Sequence, residues 1–192
     1  ALMVIQAFQV KMSYKMANML PANDSTSIVY QRFQEHFSRD ASMMMLGLKD
    51  ESINNLDKFN AWRKLSIDMQ EIDGVQATLS IGNTYHLVKD KEIKKFKLEP
   101  IVKEDPKSQE ELDSLLNIIY NQQFYKNLMF NEDKTFSLMT INMDKETVNS
   151  KNRFELMDEI MTLSTAFEEE TGIKLHYSGL PYIRSVTSEK VK

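Results

Sequence analysis

The chain has 192 residues, enough for one large domain or two small ones. A hydrophobic share of 42% supports a packed core, and a net charge of -4, from 24 basic and 28 acidic side chains, argues against nucleic acid as the main partner. Cysteine is absent, which excludes disulfides and thiolate metal sites, and only five glycines and four prolines leave little room for long flexible linkers.

The elements follow in chain order. Phe8, Val10, Met12, Tyr14 and Met16 alternate with polar residues, a period of two that predicts a half-buried strand ending at Pro21. Asp24 or Ser25 can cap a helix whose apolar face is Val29, Phe33 and Phe37. The run Met43 to Leu48 is too short for a helix and suits a central strand buried on both faces. Ser52 can cap a second helix with Ile53, Leu56, Phe59, Leu65, Met69 and Ile72 at three- and four-residue steps. Asp73-Gly74 turns the chain into a strand in which Val75, Ala77, Leu79 and Ile81 alternate with polar residues.

Residues 82–107 read as a connector. Their charged core, Lys89 to Pro100, has one functional alternative, a Lys-rich surface for anionic lipid or nucleic acid with Phe96 as an aromatic contact. Asp90, Glu92 and Glu99 in the same run favour a solvated loop. Ser108 to Glu111 then forms a capping box before a helix with Leu112, Leu115, Leu116 and Ile119 on its face, extending toward Phe124. A turn at Asn131 to Lys134 leads to a strand over Thr135 to Met143. A long helix from Ser150 carries Phe154, Met157, Met161, Ser164 and Phe167, with Gly172 as its stop. Ile173, Leu175 and Tyr177 alternate in a last strand, followed by a polar, helix-like tail. The expected fold is α+β, a ferredoxin-like α/β sandwich built from βαβ units: a first unit over 1–81, the connector 82–107, and a second unit over 108–192.

No motif for chemistry stands out. His36, His86 and His176 have no His or Cys three or four residues away, and no HExxH is present. The phosphate loops GxGxxG and GxxxxGK[ST] and the GxSxG elbow are also absent. Glu168-Glu169-Glu170 reads as a solvated helix end, and Asn23-Asp24-Ser25, a glycosylation sequon by pattern, reads as a helix cap. The thirteen methionines and Trp62 fall mostly on core faces. The expectation is therefore a protein that is not an enzyme, with no catalytic, cofactor-binding or metal residue and no cofactor. No stretch reaches the roughly 20 apolar residues of a spanning helix. No signal-peptide pattern is expected, the first residue is Ala, and the sequence reads as a segment of a larger protein or as a processed product, the apolar start and unfinished tail favouring the first.

The order of motifs over nearly the whole chain resembles the first extracytoplasmic loop of an RND-superfamily exporter, MMPL-like branch. The residues that carry it are Tyr14, Leu20-Pro21, Asp24-Ser25, "YQRFQEHFS" (Tyr30 to Ser38), "SMMMLGL" (Ser42 to Leu48), Gly74-Val75 with Ser80, Pro100, the turn at Glu132-Asp133-Lys134, and Gly179-Leu180-Pro181. Lys134 stands where the family has a glycine, and Ser38 stands where it has the glycine of "FG". The resemblance implies porter-type subdomains on the periplasmic side of the bacterial inner membrane. Their partners would be the rest of the same transporter, with its membrane helices and second periplasmic loop, in a possible oligomer, and a hydrophobic or lipid-like substrate. Proton-relay residues would lie in membrane helices outside this chain, and the tail from Arg184 would approach a membrane helix. Two alternatives stay open: a free-standing ferredoxin-like ligand-sensing or regulatory module, and, more weakly, an enzyme with a shallow acidic site.

Overall fold

A computed structural model describes residues 42–89 and 95–190. The strand expected near Phe8 to Met16 and the helix carrying Phe33 and His36 lie outside the described residues. Within them the chain is a mixed α+β structure with two antiparallel sheets and five helices. In chain order these are β1 (Met43–Lys49), a 3-10 turn (Glu51–Asn54), α1 (Leu56–Gln70), β2 (Val75–Leu79), a second 3-10 turn (Ile81–Asn83), β3 (Tyr85–Lys89) and β4 (Phe96–Pro100). After them come α2 (Gln109–Tyr120), β5 (Phe136–Met143), the short α3 (Lys145–Val148), α4 (Arg153–Thr171), β6 (Leu175–Ser178) and α5 (Leu180–Lys190).

The larger sheet has the order β2-β5-β1-β6. β5 runs antiparallel to both β1 and β2, and β6 runs antiparallel to β1. β1 and β2 therefore point the same way with β5 between them, and β5 and β6 point the same way with β1 between them. Each is a strand-helix-strand unit split by one strand of the other. Strands from 1–81 and strands from 108–192 thus share one sheet among the described residues. The pairs Met44 with Ile141, Leu46 with Met139 and Leu48 with Ser137 put alternate side chains on one face. That face is buried: Met44, Leu46, Met139 and Ile141 are fully enclosed.

Both long helices cover this face. Asn55 caps α1 by accepting from the Asp57 amide, and Phe59, Trp62, Ser66 and Met69 recur at helical spacing on its buried side. α4 buries Leu156, Met157, Ile160, Ser164 and Phe167 and ends at Gly172 in the left-handed conformation. The Trp62 and Phe167 rings meet at 5.4 Å between centroids, which locks α1 to α4. The sequence reading placed Phe154 and Met161 on the core face of α4; both are half-buried, and Leu156 and Ile160 take those places.

Five further expectations are corrected. β1 is central, but among the described residues only one of its faces is covered by helices: α1 and α4 lie on the same side, and Met45 on the other is 36% exposed. In β2 a register shift between Val75 and Ala77 leaves Ala77 exposed and turns Thr78 inward. The Thr78 hydroxyl donates to the Ser66 carbonyl at 2.9 Å, which satisfies an otherwise costly buried polar group. The charged run read as a solvated loop contains β4, paired to β3 in a separate two-stranded ribbon. α2 stops at Tyr120 and does not reach Phe124. Its capping box is half made: Ser108 accepts from the Glu111 amide, while the Glu111 carboxylate reaches the Lys107 amide.

Candidate functional site

The residues flagged by sequence are scattered. His36 lies outside the described residues. His86 is half-buried in β3, and His176 is exposed on β6. Among the described residues no three His, Asp or Glu side chains cluster so as to hold a metal ion. Glu168 has a structural task, accepting from the Leu175 amide at 2.6 Å where α4 hands over to β6. Glu169 and Glu170 are exposed. Trp62 is fully buried and belongs to the core, as do Met44, Met69, Met129, Met139, Met143 and Met157.

The perturbed titrating groups also sit in structural settings. Asp50 and Asp144 are held below the usual carboxylate range. For Asp50 the main cause is the hydrogen bond from the Ser52 hydroxyl, followed by that from the Ser52 amide. For Asp144 it is the bond from the Thr147 amide, followed by that from the Thr147 hydroxyl. Burial pushes the Tyr120 phenol up to about 12; its hydroxyl donates to Asn54 Oδ1 at 2.6 Å and ties α2 to the first 3-10 turn. Burial, and then the charge of Glu168, raises Tyr177, whose ring stacks on Tyr182 of α5 at 5.4 Å. Asp50, Asp144, Tyr120 and Tyr177 line neither of the two hollows described next, whereas Lys64, raised chiefly by its hydrogen bond to Asp68, lines the first.

Among the described residues, two shallow hollows stand out. One, of about 80 Å³, lies between α1 and α4, lined in part by Lys64, Asp68, Leu163 and Phe167. The other, of about 150 Å³, is lined by Asn127, Leu128, Phe130, Asn131 and Phe136. Sites for small organic ligands usually enclose about 300 Å³ or more, so neither hollow suits such a ligand by itself.

What the fold offers instead is surface. The face of the sheet away from α1 and α4 carries Met45, Leu79, Leu138, Thr140 and Asn142, all part-exposed, around Gly47. The Phe136 ring lies over Gly47, so close that a Cβ there would sit 3.2 Å from it. The second surface is the β3–β4 ribbon. Its base is closed by the Ile101 amide donating to the Thr84 carbonyl at 2.9 Å. The Tyr125 hydroxyl grips both backbone groups of Tyr85, donating to its carbonyl at 2.7 Å and accepting from its amide at 3.1 Å. Sequence reasoning missed the ribbon, although its signal was present: Phe96 and Leu98 alternate with Lys95, Lys97 and Glu99. At the end of the sheet, Gly179 turns β6 directly into α5, which packs on β1 and α4 and buries Pro181 and Ser185. Among the described residues no helix is long and apolar enough to cross a membrane. The chain matches no protein-family model and no curated protein significantly.

Proposed function

We propose that this chain is an extracytoplasmic, porter-type domain of an RND-superfamily exporter of the MMPL-like branch, with a ferredoxin-like unit at its centre. The observation that carries the reading is the turn at Asn131 to Lys134. The order of motifs calls for a glycine at its end, and the residue there is Lys134. Its backbone nonetheless takes the left-handed conformation at φ 58°, the one a glycine would supply. Two further features support it. The strand order β2-β5-β1-β6, with two split strand-helix-strand units, is compatible with a ferredoxin-like sheet and supports the reading. The junction Gly179-Leu180-Pro181 passes the chain from the last strand straight into a helix.

In this role the domain performs no bond chemistry and needs no cofactor. It forms part of the path along which a hydrophobic or amphiphilic substrate leaves the membrane on the periplasmic side. Energy comes from proton movement through membrane helices elsewhere in the transporter, transmitted as movement of this domain against the second periplasmic loop. The open sheet face, with Met45, Leu79 and Leu138, is an adaptable apolar surface of the kind such contacts need. The reading frame around the chain is the test. An apolar segment of about 20 residues directly before Ala1 and another after Lys192 are expected. A frame that opens and closes beside these residues would instead indicate the free-standing sensing module.

A further inference from the structure

The β3–β4 ribbon carries the most concentrated apolar exposure among the described residues. Its register pairs Tyr85 with Pro100, Leu87 with Leu98 and Lys89 with Phe96. Directly opposed residues of an antiparallel pair share a face, so Tyr85, Leu87, Phe96 and Leu98 form one apolar surface. They are 46%, 67%, 71% and 64% exposed. Phe124, 76% exposed, extends this character at the ribbon's base, where it packs edge-on against Tyr125, the residue that grips Tyr85. Scattered exposed apolar side chains are ordinary, but a contiguous set on a braced element marks a contact surface.

The charges around the patch point to its partner. Lys89 lies on the apolar face itself, opposite Phe96, and Lys95 and Lys97 alternate with Phe96 and Leu98. Lys89 and Lys95 make no ion pair among the described residues, and Lys97, paired with Glu99 at 3.2 Å, is still 64% exposed. The described ribbon, residues 85–89 and 95–100, thus holds three lysines against one glutamate, a net +2 in a chain of net -4. Aromatic and leucine side chains framed by lysines are the composition of an interfacial segment: the rings and leucines enter the headgroup boundary while the ammonium groups stay at the phosphates. A protein partner of ordinary size needs about 800 Å² from each side, drawn from some 20–30 residues, far more than a ribbon of five-residue strands presents.

We propose that the β3–β4 ribbon is a docking surface for an anionic lipid bilayer, with Tyr85, Leu87, Phe96 and Leu98 entering the interface, Lys89 on the same face contacting lipid phosphate, and Lys95 and Lys97 on the reverse face adding electrostatic attraction to the anionic surface. The proposal goes beyond the porter reading and does not depend on it. The test is co-sedimentation of the 192-residue chain with phosphatidylcholine vesicles, with and without phosphatidylglycerol. The chain is expected to pellet with the phosphatidylglycerol vesicles at low salt and much less with phosphatidylcholine alone. The double variant Leu87→Ser with Leu98→Ser is expected to lose about tenfold or more in partitioning. Lys89→Glu with Lys95→Glu is expected to abolish the preference for anionic lipid, since each lysine near a charged surface contributes roughly fivefold. All four positions are exposed, and circular dichroism checks that the variants remain folded. A Phe96→Trp variant adds a direct reading: its emission should be quenched by brominated lipid, whereas the buried Trp62 of the unsubstituted chain should not respond. A wild-type chain that stays in the supernatant with phosphatidylglycerol overturns the proposal, as does an apolar double variant that pellets like wild type. So does self-association or RNA binding that the same substitutions abolish without any vesicle binding.

Discussion

Gly179 and Lys134 put backbone conformation to opposite uses. Gly179 has φ 117°, and a Cβ there would stand 2.5 Å from the Met43 carbonyl oxygen and 2.9 Å from the Met44 Cα. Both contacts are backbone of the central strand and cannot give way cheaply. Gly179→Ala is therefore expected to cost ~3 kcal/mol, read as a lower urea midpoint at unchanged slope. Lys134 pays for its left-handed backbone with a ring contact, its ammonium standing 4.9 Å over Tyr120. Lys134→Ala keeps the backbone strain and loses that contact, so a loss of ~0.5–1 kcal/mol is expected. Lys134→Gly relieves the strain while losing the contact, and should come out near neutral. An equal loss from both would contradict this account of the turn. The Asp144 cap adds a pH signature. Its folded pKa is lowered, chiefly by the Thr147 amide. Its contribution is therefore present above the unfolded value of about 3.9 and is lost as pH falls through the folded value. Asp144→Ala should cost ~1 kcal/mol near neutral pH. The gap to wild type should close in acid; urea unfolding at both pH values decides.

At the scale of elements, what could be read from the sequence was what local pattern writes. α1, α2, β5, α4 and β6 all fall close to where periodicity placed them, because each has an apolar stripe of its own. The misses have physical causes. The Val75, Ala77, Leu79 alternation was real, but the shift at Ala77 moved the buried position to Thr78, a polar residue satisfied only by its partner on α1. The ribbon was hidden because its apolar face is exposed, so it buries nothing that a search for core would find. No catalytic cluster was expected, and the surfaces that stand out depend on pairings no short window contains. The ribbon is a separate sheet, tied to the body mainly at Thr84, Tyr85 and Ile101. Replacing residues 86–99 with a short Gly-Ser turn should therefore shift the melting temperature by less than about 3 °C. Removing α5 by truncation after Gly179 should do more, since it deletes the buried Pro181 and Ser185 and strips Tyr182 from its stack on Tyr177. A larger loss from the ribbon than from α5 would reverse this ranking.

At the scale of the whole molecule, interleaving is the dominant fact. β5 sits between β1 and β2, so the hydrogen-bonding edges of the first strands are filled by a strand more than fifty residues further along. Such order is fixed by pairings distant in sequence, and single-segment patterns cannot reveal it. It makes the sheet a cooperative unit: fragments 1–81 and 108–192, expressed separately, should each lack the dispersed amide spectrum of the intact chain. Among the described residues the same architecture leaves one sheet face and the ribbon uncovered, which is compatible with the proposed contacts to neighbouring domains. Because the chain has no cysteine, a single introduced thiol is the only one within it, and its labelling relative to the unsubstituted protein reports where this domain resides. Lys174 is exposed just before β6, so Lys174→Cys leaves the core intact. The decisive measurement is labelling of this variant in the full-length gene product by a membrane-impermeant maleimide, in cells with a permeabilised outer membrane and an intact inner one. Labelling above the unsubstituted protein before the inner membrane is broken is the expected result. Labelling that begins only after lysis would place the domain in the cytoplasm and contradict the proposed exporter role.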